Sequence, residues 1–231
     1  MPRSATKEKM DLKKRWLALW KHIGGKTDGE AEWAEIVLRY TEPHRAYHVL
    51  AHIEHCLREL DDVRVKRLLM GPAAVEVALW LHDIINDTDL EAVKRKDNEE
   101  KSAKLWLKMA HDGSIPEVFA NHVVQLILPT SHDNTVAYSH DGFYVLDIDL
   151  AILGRPALEF DNYEDQVRSE YAWASDEDFA KGRRSIIAGF LARPYGIYLT
   201  QFFRDKYEKQ AQRNLRYSVA CLSDRLDARA F

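Results

Sequence analysis

Apolar residues recur at helical spacing along most of the chain. Met10, Leu12, Trp16, Leu17, Leu19, Trp20 and Ile23 share one stripe, and Gly24-Gly25 supplies a stop. A second run starts near Asp28, a capping residue, and carries Trp33, Ile36, Val37 and Tyr40 to a turn around Pro43. A third helix, 48–60, has Val49, Ile53, Cys56, Leu57 and Leu60 as its apolar face. Residues 73–85, AAVEVALWLHDII, are apolar nearly all round, which on a helix means burial on every side. Capping boxes at Asp97/Glu100 and Ser114/Glu117 predict two more helices, the second with Pro116 in its first turn and Pro129 closing it. The stretch 143–153, FYVLDIDLAIL, alternates like a strand yet runs into Gly154 and Pro156 as a helix end does, and we read it as helix. Helical patterns follow at 157–173, at 176–192 behind Ser175 or Asp176, and at 198–226, where Phe202, Phe203, Tyr207, Leu215 and Val219 face inward. With no linker, repeat or low-complexity stretch, the pattern predicts one all-α domain over 1–231.

Composition narrows the function classes. At 231 residues and 46% hydrophobic content the chain can bury a sizeable core by itself. Its 33 basic and 37 acidic residues leave a net charge of −4, which disfavours nucleic acid or a membrane as the main partner. Cys56 and Cys221 are too few for a disulfide framework and point to a reducing compartment, so a cytoplasmic protein is expected. The N-terminus carries charges where a secretion signal needs an apolar run, and no stretch reaches the roughly 18 apolar residues of a membrane span. Neither GxGxxG nor GxxxxGK[ST] occurs, so phosphate chemistry here would need another device.

That device is suggested by histidines. His48, His52 and His55 fall at i, i+4 and i+7 on one stripe, with His44 a turn upstream. A metal site is one reading, and hydrogen-bonded core or surface histidines are the other. HVLAH is not a zincin motif, because Val49 stands where that motif places its glutamate base. His82-Asp83 is more informative, since the pair closes an apolar run and must adjoin the core. A buried carboxylate costs several kcal/mol unless it is paired or ligates a cation. A helix cap or an arginine partner for Asp83 is the competing explanation.

These residues resemble the HD superfamily of metal-dependent phosphohydrolases, defined by a histidine, a later His-Asp doublet and a distant aspartate. The matching elements are RAYHVLAHI, ALWLHDII and LDIDLAILG. DNEEKSA, ILPTSHD, QVRSEYAW and the AQRNL stretch are similar to a bacterial branch of uncharacterised members, so the resemblance covers about residues 30–220. It implies a compact helical HD fold with a metal-site core over about 30–155 and further helices, 156–231, packed on it. It also implies His48, His82, Asp83 and Asp149 as ligands. Asp147 competes for the fourth place: on a helix, residues two apart face nearly opposite ways, so only one of the pair can reach a single ion.

Two imidazoles and two carboxylates suit Mn, Fe, Co, Ni or Zn better than Mg, and one divalent ion is expected. Four protein ligands leave room for a water that is acidified and attacks phosphorus. The expected substrate is a small phosphate ester or nucleotide, and the chain is expected as a monomer or homodimer. Arg45, Arg168, Arg183 and Arg184 are candidates for neutralising phosphate oxygens, with salt bridges as the competing role. Asp87, Glu99 and Glu100 could orient ligands or accept a proton, and His132 resembles a position often kept near the site in the family. A nucleotide or metal sensor without turnover, and a di-iron oxygenase, stand as alternatives.

Overall fold

The computed structural model describes residues 10–131 and 139–227, and its regular elements are all helical. Helix α1, Leu12–His22, starts where the Asp11 carboxylate accepts from the Lys14 amide, and it buries Trp16, Leu19 and Trp20. The chain turns at Gly24 and Gly29, both at positive φ, into α2, Glu30–Tyr40. Gly25 and Gly113 pinch the Trp20 indole, and a Cβ at Gly113 would stand 2.2 Å from it. Helix α3 is Leu50–Val65 and α4 is Pro72–Leu81. As its all-apolar pattern requires, α4 is buried from Ala74 to Leu81. Around it pack α3, α7 (Glu117–Ile127) and α8 (His140–Asp149), while α6 (Asn98–Asp112) lies against α7. Trp80 anchors this centre: its ring meets Trp16 and Trp33 edge-on, and its carbonyl accepts from the Tyr40 hydroxyl. Fully burying a side chain of this kind contributes roughly 1.5–3 kcal/mol.

The stretch 143–153 is helical: α8 runs to Asp149 and tightens into a 3-10 turn over Leu150–Gly154. The C-terminal helices are α9 (Ala157–Glu170), α10 (Asp176–Leu191, capped by Ser175), α11 (Gln201–Phe203) and α12 (Lys209–Asp227). Helix α12 packs on α10 and on the 150–154 turn, and the buried apolar residues form one cluster from Trp16 to Leu222. No described helix is long and apolar enough to cross a membrane.

Three local expectations differ from what is found. Ser114 does not cap α7: it sits at positive φ in the turn that ends α6, where the Ile115 amide bonds the Ala110 carbonyl, and α7 begins behind Pro116. Asp97 stands at the N-cap of α6, but its carboxylate pairs with Lys101 and not with the backbone. The expected 198–226 helix starts later, at Gln201, and passes through a wide π-type turn over Arg204–Glu208. The later start has its cause in the segment just before it, where the Glu208 carboxylate takes the Ile197 and Tyr198 amides and the Asp147 carboxylate takes those of Leu199 and Thr200. The short helix α5, Leu90–Arg95, capped by Asp89, was not expected.

Candidate metal centre

The end of α4 fixes the first two donors. His82 follows its last turn, and Nδ1 lies 3.1 Å from the Leu79 carbonyl, an acceptor only, so Nδ1 carries the proton and Nε2 points away. Nε2 meets Asp83 Oδ2 at 3.0 Å, Asp149 Oδ1 at 3.3 Å and His52 Nε2 at 3.3 Å. His52 Nε2 is in turn 3.4 Å from both Asp83 Oδ2 and Asp149 Oδ1. Among the described residues, His52, His82, Asp83 and Asp149 form the group able to hold a metal, with donor atoms all within 4.8 Å of one another. An ion with ligands at about 2.0–2.2 Å sets neighbouring donors about 3 Å apart at right angles and about 3.4 Å apart at tetrahedral angles. The His–His and His–Asp spacings of 3.0–3.4 Å lie in that range, so these donors fit a single transition-metal ion.

The imidazole of His52 and the side chain of His82 are buried, while Asp83 and Asp149 keep 20% and 16% of their side-chain surface open, so the cluster meets solvent through its carboxylates. Its imidazoles and carboxylates stabilise one another's charged forms. Burial by itself lowers the pKa of His82, but the Asp83 and Asp149 carboxylates together outweigh it and hold the imidazole well above its ordinary range. Burial likewise lifts Asp83, and the neighbouring His82 and His48 reverse it, holding the carboxyl well below the usual value.

His48, expected as the first ligand, lies at the rim. Its Nε2 is 3.9 Å from Asp83 Oδ2, and its ring stands edge-on to that of His52. The residue precedes the N-cap of α3 at Val49, whereas His52 sits in the helix's first turn and reaches the group. Sequence reasoning placed His52 on the histidine stripe without assigning it as a ligand, and the i, i+4 spacing was the available signal. Helix α8 separates the two aspartates as its period requires: Asp149 faces the donors, while Asp147 is buried and accepts from the Leu199 and Thr200 amides and the Thr200 hydroxyl. Burial raises Asp147 to about 6 against the pull of those bonds.

Several expected helpers are engaged elsewhere. Arg45 is buried and donates to the carbonyls of His48, Asp83 and Ile84 while pairing with Glu42, so it clamps the two donor-bearing segments together. Arg168 bonds the Tyr171 and Ala174 carbonyls and Asp176, and Arg183 bonds Glu164 and Tyr163. Arg184 lines a shallow hollow with Lys181, Ser185, Ala188 and Val219, which holds none of the donors. Asp87 pairs with Lys101, Glu100 approaches Lys104, and Glu99 lies in the first turn of α6. His132 lies outside the described residues.

One residue at the site had no assigned role. Glu170, at the end of α9, has a buried carboxylate whose Oε2 is 2.6 Å from His48 Nδ1 and whose Oε1 accepts from the amides of Ala46, Tyr47 and His48. Burial would raise its pKa, but His48 and these amides hold it at about 2. No match to this chain was found among protein families, curated proteins or solved structures.

Proposed function

We propose that this chain is a metal-dependent phosphohydrolase of the HD type, acting on a small phosphate ester or nucleotide. The observation that carries the reading is the convergence of His52, His82, Asp83 and Asp149, from three places in the sequence, on one space with metal-ligand spacing. Bound there, a divalent ion of the Mn, Fe, Co, Ni or Zn class would acidify water and neutralise phosphate charge. The protein's own part is positional. The Leu79 carbonyl fixes which His82 nitrogen faces inward, Arg45 ties the His48 and Asp83 segments together, and Asp83 and Asp149 give the cluster its solvent-facing side.

A second reading, metal or nucleotide sensing without turnover, is favoured by one observation: Arg45, Arg168 and Arg183 are committed to protein acceptors. The experiment is a phosphate-release screen over nucleotides and sugar phosphates, with chelator-stripped protein, before and after adding Mn2+ or Co2+. Metal-restored release is expected. Stoichiometric metal uptake with no release from any substrate would favour the sensor, and no metal uptake would end both readings.

A further inference from the structure

We infer that Glu170 is a positioning residue that fixes which nitrogen of His48 faces the donor cluster. The inference rests on the metal-centre reading above and adds His48 to that centre through a partner 122 residues away in sequence.

The geometry leaves the carboxylate one role. Both oxygens of an ionised carboxylate only accept, so the 2.6 Å contact puts a proton on His48 Nδ1, and in the neutral ring the lone pair is then on Nε2, on the side of Asp83. The other oxygen is filled by three successive amides at 2.8, 2.8 and 2.9 Å, which prevents the carboxylate from turning and sets the 46–48 backbone. The backbone carbonyl of Glu170 accepts from the Thr88 hydroxyl, so the same residue also grips the segment that follows the His82-Asp83 pair. A carboxylate behind an imidazole both orients the ring and strengthens its free nitrogen as a ligand. His48 Nε2 is 3.9 Å from Asp83 Oδ2, close enough for a modest ring movement to join it to an ion held by the four inner donors.

Glu170→Gln separates orientation from bulk. Glutamine has one accepting oxygen and one donating amide nitrogen. The three backbone amides require the oxygen, so the NH2 group faces His48 Nδ1, and the ring proton must move to Nε2, where it blocks ligation. Nitrogen NMR of the metal-free protein, at a pH where the ring is neutral, reads the tautomer directly, and calorimetric titration with Mn2+ reads affinity. Expected are an Nδ1–H ring in the native protein, an Nε2–H ring in E170Q, and Mn2+ binding weakened about 10- to 100-fold. An unchanged tautomer, or equal Mn2+ affinity in both proteins, overturns the inference. Absence of Mn2+ binding by the native protein sinks the metal reading instead, while the tautomer comparison still decides what Glu170 does to the ring. If E170Q fails to melt cooperatively, the native spectrum decides alone: a lone proton on His48 Nε2 would refute the role.

Discussion

Glu76 and Asp83 lie seven residues apart on one apolar run, and the fold treats them in opposite ways. Glu76, on α4, is buried between two guanidiniums: Oε1 is 2.6 Å from Arg15 Nε and Oε2 is 2.5 Å from Arg64 Nη1. Arg15 is held further by Asp61. Asp83 has imidazoles around its carboxylate, those of His82, His52 and His48, and the nearby Arg45 donates to its backbone carbonyl. Guanidinium stays charged at every accessible pH, so the first acid is neutralised permanently by the chain. Imidazole can surrender its proton, so the second can exchange protons for a cation. One cluster is closed by its own arginines, and the other, on the proposed reading, is open to a cation.

The comparison breaks most sharply at His82. His82→Ala should remove bound metal and reduce phosphate release by more than about 100-fold. It should also abolish the rise in melting temperature on adding Mn2+, which at a hundredfold excess over the dissociation constant corresponds to about 2.7 kcal/mol. Elemental analysis and melting curves check both, and retained metal would refute the ligand assignment. Glu76→Gln should show the converse pattern. Breaking a buried ion pair costs about 3–5 kcal/mol, and part-exposed arginines with other partners put this one near about 3 kcal/mol, with metal content unchanged. Denaturant titration reads it, and a loss of metal without a loss of stability would reverse the two roles.

The smallest effect concerns His55, on α3 below the donors. Its Nε2 is buried without a hydrogen-bond partner, and burial holds its pKa at about 4. The unfolded chain takes up a proton near pH 6.5, so this group costs stability progressively as pH falls from about 6.5 to about 4, by roughly 2 kcal/mol. His55→Leu should flatten that part of the stability profile relative to the native protein. Parallel profiles for the two proteins would show that His55 is not held neutral.

What the sequence made legible follows from range. The all-α architecture could be read because helical periodicity is local, and His82-Asp83 stood out because ionisable residues closed a buried run. Asp149 and Asp147 were separable in principle by helix phase alone. The role of Arg45 was not, since the same planar fork that suits phosphate also suits three carbonyls, and spacing does not distinguish them. Glu170 looks like any polar residue on an amphipathic helix, and its importance comes from contacts with residues 46–48. The late start of the last helix was hidden for the same reason, since the amides just before it are taken partly by Asp147, 52 and 53 residues upstream.

That latch has a bearing on how the molecule is made. All four inner donors have been synthesised by residue 149, yet the turn behind Asp149 is supported from later in the chain. The Tyr198 hydroxyl bonds the Leu150 carbonyl, and the Asn214 side chain bonds those of Leu153 and Arg155. A nascent chain paused before residue 198 would hold all four candidate ligands and none of this scaffolding. Metal loading should then trail translation, arriving once α12 has emerged from the ribosome and docked.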